Sequence, residues 1–100
     1  MEIRNINESE FYRLIEENVH FMVGFSADWC TDCKETDSLL TEFARENPHI
    51  GVYRLDVDEN TDAANRYGVI NVPSLLVFED KKIKSKAEGK LTKEDISELI

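Results

Sequence analysis

The stretch Trp29-Cys30-Thr31-Asp32-Cys33-Lys34 holds both cysteines and the single tryptophan of the chain, and it follows an apolar run from Val19 to Phe25. The change of pattern marks the end of a strand and the start of a helix. With Cys30 at the helix start and Cys33 one turn on, the two sulfurs take neighbouring positions where a disulfide can close. Such a pair can release or accept two electrons. A helix N-terminus offers unpaired N–H groups and the positive end of the dipole to the first sulfur, and both favour its thiolate. Only the thiolate attacks a disulfide, and a free cysteine begins near pKa ~8.5, so this placement is a physical route to reactivity near neutral pH. Cys30 is therefore the candidate nucleophile, and Cys33, which begins the buried side of the helix, is the candidate resolving thiol. A structural zinc would need four ligands, and beyond the two cysteines the chain has only His20 and His49 to offer. A purely structural short bridge is the other plain alternative, and such bridges are rare in a reducing cytosol.

With 100 residues, 41% of them hydrophobic, the chain has material for one core, which predicts a single domain over residues 1–100. The net charge of -9 is unevenly spread: residues 1–78 hold six basic and fifteen acidic residues, and 79–100 hold six of each. The acidity thus lies with the reactive stretch and argues against nucleic-acid or anionic-membrane partners. No apolar run approaches the ~20 residues of a membrane helix, and the opening Met-Glu-Ile-Arg-Asn lacks the pattern of a signal peptide. These features read as a cytoplasmic chain. There are no repeats, linkers or low-complexity segments.

Along the chain, Ile3 to Ile6 is a weak strand candidate, and Asn7 with Glu10 forms a capping-box pattern for a helix running to about Glu17. The run Val19 to Phe25 is apolar on both faces, as a central strand covered by helices requires, with His20 at its end. Leu39, Leu40, Phe43 and Ala44 carry the next helix from Thr31 to Asn47, where Pro48 stops it. Tyr53, Leu55 and Val57 alternate with charged residues as a half-buried strand from about Gly51. Asp58 to Thr61 are candidate caps for a short helix with Ala63, Ala64 and Tyr67, which Gly68 ends. Leu75 to Phe78 is a buried strand, followed after Glu79-Asp80-Lys81 by a strand with Lys82, Lys84 and Lys86 on alternate positions. Lysines so placed protect an exposed sheet edge from pairing with another chain, which predicts a monomer. Thr92 with Asp95 starts a final helix whose apolar face is Ile96, Leu99 and Ile100. The order is βαβαβαββα, an α/β chain with a central mixed sheet, parallel at first and ending in a hairpin, flanked by helices on both faces.

This order, with a CxxC between the second strand and the second helix, resembles the thioredoxin family over essentially the whole chain. The resemblance is carried by Ala27-Asp28-Trp29-Cys30-Thr31-Asp32-Cys33-Lys34, Leu55-Asp56-Val57-Asp58, Tyr67-Gly68-Val69, Val72-Pro73-Ser74 and Gly89 before the last helix. Phe25-Ser26-Ala27-Asp28-Trp29-Cys30 is similar to a branch of small bacterial members with an acidic residue before the second cysteine. The resemblance implies a thioredoxin fold and a cis Val72-Pro73 bond facing the cysteines. It also implies a substrate-binding surface of Trp29, Val72, Pro73 and Gly89 around Cys30, where an extended segment pairs with the Val72 backbone. By the same resemblance the activity is thiol-disulfide exchange on protein disulfides, without metal or organic cofactor, with recycling by a reductase or a small thiol. Two rivals stand beside it: glutaredoxin-like removal of small thiols, for which Cys30 alone suffices, and a binding module without redox turnover.

Several positions depart from the family pattern. Gly24 stands where the family usually has a buried aspartate proposed to help deprotonate the resolving thiol, so Cys33 needs water, another carboxylate or the leaving thiolate. Ser26 replaces a usual tryptophan, and Ser38 replaces the proline that kinks the active-site helix, which predicts a straighter helix. Thr31-Asp32 replaces Gly-Pro. Thr31, Asp32 and Lys34 are the candidate tuning residues: Asp32, with Asp28, Glu35 and Asp37, opposes the Cys30 thiolate, and Lys34 offsets part of that.

Overall fold

The computed structural model describes residues 3–17 and 19–100. The elements are β1 (Arg4–Asn5), α1 (Glu8–Glu16), β2 (Phe21–Ser26), α2 (Thr31–Glu46), β3 (Gly51–Asp56), α3 (Thr61–Arg66), β4 (Ser74–Glu79), β5 (Lys82–Glu88) and α4 (Lys93–Glu98). The sheet order is β1-β3-β2-β4-β5, with β1, β3 and β2 parallel and β4 and β5 antiparallel to their neighbours. The order of elements matches the sequence reading throughout.

Burial on both sides of β2 explains its nearly continuous apolar run. Phe21, Val23 and Phe25 point into a core with Phe11 and Ile15 of α1, Ala63 of α3, and Leu76 and Phe78 of β4. Met22 joins a second core with Leu40, Phe43 and Ala44 of α2, Val52 of β3, and Ile96 of α4. Phe11 is fully buried, with the rings of Phe21, Phe25, Tyr67 and Phe78 at centroid distances of 6.2, 5.7, 5.3 and 5.5 Å. Truncating such a residue to alanine costs about 3–5 kcal/mol. On the α2 side, a Cβ at Gly24 would stand 2.7 Å from Leu40 Cδ1 and 3.3 Å from Leu75 Cδ2. The glycine lets Leu40 seat against the sheet, and an added Cβ would require the Leu40 side chain to shift.

Local signals set most boundaries. The Glu10 N–H donates to Asn7 Oδ1 at 2.9 Å and the Asn7 N–H to Glu10 Oε1 at 3.3 Å, closing the capping box of α1. Thr92 and Asp95 do the same for α4, at 3.1 and 2.9 Å. Asp80 and Lys81, at φ 56° and 64°, take the two left-handed positions that a tight hairpin turn needs. Other boundaries differ from the sequence reading. Strand β2 begins at Phe21 and not at Val19, because the Val19 N–H still bonds to Leu14 O at the end of α1. The caps of α3 were expected within Asp58 to Thr61, but Asn60 turns its side chain to Asp56 O and to the Glu8 N–H, and Glu8 Oε1 accepts the Ala63 N–H at 3.0 Å. The cap therefore comes from α1, and it fixes α3 to the rest of the chain.

Helix α4 is tied to α2 by Lys93, whose Nζ lies 2.7 Å from Glu42 Oε1 and 2.9 Å from Glu46 Oε2. The hydrogen bond and charge of Lys93 lower the pKa of Glu42. A carboxyl depressed in the folded state contributes stability above its unfolded pKa of about 4.3 and loses it as pH falls through the folded value. Replacing Lys93 with methionine should therefore lower the urea midpoint at neutral pH. The gap from wild type should close below about pH 4, as read by far-UV circular dichroism.

Candidate active site

The chain leaves β2 at Ser26 and enters α2 at Thr31, and the connecting residues set the geometry of the sulfurs. The Cys30 N–H bonds to Ala27 O at 3.1 Å, closing a turn that leaves Cys30 extended at the N-cap of α2. Its Sγ accepts the Cys33 N–H at 3.1 Å and so fills the capping role usually taken by an oxygen. Cys30 and Cys33 form a disulfide with their Cα atoms 5.3 Å apart. Cys30 keeps 6% of its surface and Cys33 only 1%, so the first sulfur is the more exposed of the two. Ala27 is buried against both cysteines, with Val57 and Val72 at the margin.

The surrounding loops bring the remaining candidates together. The Val72-Pro73 bond is cis, as the resemblance implies. Gly89 donates its N–H to Pro73 O at 2.8 Å, which places the last loop beside this bond. A Cβ at Gly89 would meet nothing within 4 Å in this chain. Its φ of +85° lies where a side chain is strained, which the glycine avoids. Trp29 is 70% exposed, and its indole N–H donates to Asp58 Oδ2 at 2.9 Å. Asp58 is held in turn, with its N–H on Asp56 Oδ1 at 2.8 Å. Trp29, Val57, Val69, Ile70, Asn71 and Val72 line a cleft of about 260 Å³ beside the cysteines. A larger polar hollow of about 550 Å³ around Arg54 contains neither cysteine.

The thioredoxin family model matches residues 2–100. Thioredoxin of Staphylococcus epidermidis is 36% identical over 101 residues, which cover 100% of this chain and 96% of that protein. Thioredoxin of Staphylococcus aureus is 34% identical over the same span. The chain belongs to the thioredoxin family. Among solved structures, oxidised mitochondrial thioredoxin 3 of Saccharomyces cerevisiae superposes with a TM-score of 0.86 at 28% identity, over 96% of this chain and 91% of that one. A thioredoxin mutant from Halobacterium salinarum superposes with a TM-score of 0.83 at 28% identity, over 98% and 84%. The architecture is the thioredoxin fold, and the protein is a thiol-disulfide oxidoreductase.

Within this thioredoxin site, the structure changes the electrostatic reading. Thr31, Asp32 and Lys34 are exposed on the first turn of α2. Further offsets to the neighbouring carboxylates come from other elements: Arg54 of β3 reaches Asp37 Oδ2 at 3.0 Å and Asp28 Oδ1 at 3.5 Å, while Lys90 lies 3.6 Å from Glu35. Arg54 also donates to Asn5 Oδ1 at 3.0 Å and joins β1, β3, the cysteine loop and α2 through one guanidinium. Lys34 makes no ion pair among the described residues. Sequence reasoning missed Arg54 and Asp58 because they lie in the chain far from the residues they serve. It missed Ile70, 87% exposed, because a single isoleucine in a turn belongs to no periodic pattern. Burial pushes the Asp37 carboxyl above the usual range, and the hydrogen bond and charge of Arg54 offset part of that.

With Arg54 replaced by glutamine, Asp28 and Asp37 would lose their cation, and the Cys30 thiolate would be harder to form. Alkylation of Cys30 by iodoacetamide at neutral pH should slow by about threefold in the reduced protein, with an Arg54 to lysine change recovering part of the rate. An unchanged rate would show that solvent screens these carboxylates from the sulfur.

Proposed function

We propose that this protein reduces disulfides in protein substrates and works as a monomeric single domain in the cytoplasm. The observation that carries the reading is the Cys30-Cys33 bridge at the start of α2, with the more exposed sulfur at the N-cap. In the reduced protein the Cys30 thiolate attacks a substrate sulfur, the substrate disulfide breaks, and a mixed disulfide forms. Cys33, deprotonated, then attacks Cys30 Sγ, which releases the second substrate thiolate and leaves Cys30 and Cys33 oxidised. A reductase or a small thiol returns the two electrons. The sulfurs carry the electrons themselves, so the cycle calls for no metal or organic cofactor.

Trp29, Val72, Pro73 and Gly89 are the proposed substrate surface. Val72 is half-buried at the edge of the apolar cleft, and among the described residues its backbone N–H and C=O make no hydrogen bond. An extended substrate segment can bond to them as an added strand does. Thr31, Asp32 and Lys34 are the proposed tuning residues, since their side chains and N–H groups stand nearest the capping sulfur in sequence. Nucleic acid and membrane surfaces are unsuited as partners to a chain of net charge -9. The exposed Lys82, Lys84 and Lys86 on the edge strand β5 support the monomer. Among the described residues no helix is long and apolar enough to cross a membrane.

Replacing Cys33 with serine should trap protein substrates on Cys30 as mixed disulfides visible on non-reducing gels, and steady-state reduction of protein disulfides should fall at least a hundredfold. If this variant instead keeps full activity on small mixed disulfides and traps no protein, the glutaredoxin-like rival replaces this reading.

A further inference from the structure

We propose that Asp37 accepts the proton of Cys33 in the resolving step, through one intervening water, with Arg54 holding the carboxylate in place. The inference rests on the two-cysteine cycle above and assigns it a group that the motif itself does not contain.

The resolving step needs a thiolate at Cys33, and Cys33 is only 1% exposed, so its proton has no free path to bulk solvent. On α2, Asp37 lies four residues beyond Cys33, and positions so spaced share a face about 6 Å apart at Cβ, a separation that one water spans. Asp37 borders the buried stripe formed by Cys33, Thr36, Leu40 and Ala44, and its side chain is 27% exposed. Its Oδ2 accepts from Arg54 Nε at 3.0 Å, while Oδ1 has no partner among the described residues and is free to take a proton.

The charged groups around it are few. Arg54 comes from β3, Asp28 from the cysteine loop shares that guanidinium at 3.5 Å, and Lys34 and Glu35 stand on the same helix. Neutral Asn5 is the neighbour from β1. Desolvation raises the Asp37 pKa and so makes it a stronger base than an exposed aspartate, while the hydrogen bond and charge of Arg54 act in the opposite direction. A second polar group marks the same side of the sheet. Ser26 follows Met22 and Gly24 on the α2 face of β2, is 1% exposed, and its Oγ is buried without a hydrogen-bond partner. A buried hydroxyl without a partner is costly, and a water at this end of α2 would satisfy it.

The balance of the step is simple. The proton of Cys33 passes to Asp37 Oδ1, the Cys33 thiolate attacks Cys30 Sγ, the Cys30-Cys33 bond forms as the bond from Cys30 to the substrate breaks, and the departing substrate thiolate is reprotonated by Asp37 or by water.

The test separates the two half-reactions in the full-length reduced protein. A peptide disulfide is added, samples are quenched with acid at successive times, and mass spectrometry follows the growth and decay of the mixed disulfide across the neutral pH range. Asp37 to asparagine keeps an acceptor for Arg54. Its mixed disulfide should decay about tenfold more slowly at neutral pH, with a steeper dependence on pH, and Asp37 to glutamate should recover most of the rate. Decay that is unchanged or faster overturns the proposal. Faster decay is what a carboxylate that merely repels the Cys33 thiolate would give, since its removal eases ionisation. The Cys33 to serine trap keeps the two ideas apart: a trapped species together with normal decay in the asparagine variant removes Asp37 and leaves the cycle, while no trapped species removes both.

Discussion

The start of α2 is the constraint on which the rest depends. A helix begins with N–H groups that lack intrahelical partners, and here one of them is met by sulfur: the Cys33 N–H on Cys30 Sγ, at 3.1 Å. This single contact fixes the first sulfur at the positive end of a 16-residue helix and places the second one turn on, inside the protein. The difference in exposure between the two cysteines follows from it, and the proposed order of attack and resolution rests on that difference. The sheet secures the junction from below, since β2 is paired on both sides and ends at Ser26, whose carbonyl still accepts the Val57 N–H at 2.9 Å.

Charge is the second theme. Read along the chain, the residues around the cysteines are heavily acidic, an arrangement hostile to a thiolate. Folding brings cations to several of them: Arg54 from β3 to Asp28 and Asp37, and Lys90 from the last loop to Glu35. The pair with Glu35 is exposed and weak. The Arg54 contacts are better sheltered, with the guanidinium side chain 17% exposed, and they also hold the cysteine loop against the helix. Asp32 has no such partner among the described residues. The helix N-terminus and its N–H donors therefore work against one carboxylate at close range and others already partly neutralised.

What the sequence disclosed was what local chemistry decides. The capping boxes at Asn7 and Thr92, the stop at Asn47 before Pro48, and the apolar run of β2 are each written within a few residues, and each lies where the pattern puts it or within two residues of it. The cysteine pair was legible for the same reason. The rest depends on partners far apart in the chain. Glu8 caps α3 from 55 residues away, Asp58 holds Trp29 across 29, and Arg54 reaches back 17 to Asp37. No periodicity announces these contacts, because they arise only when folding joins α1 to α3, the cysteine loop to the loop after β3, and β3 to α2. Gly89 shows a subtler limit: its φ of +85° is a backbone requirement that no side-chain pattern in the sequence announces.

The equilibrium reduction potential of the Cys30-Cys33 pair tests the central claim most directly, by titration of the purified protein in defined thiol-disulfide buffers with free thiols trapped and counted by mass. The account predicts a single two-electron transition below about -230 mV, in the neighbourhood of the family value of about -270 mV, as a reductant of protein disulfides requires. A potential above about -200 mV, or a pair that stays reduced in every buffer, would contradict it.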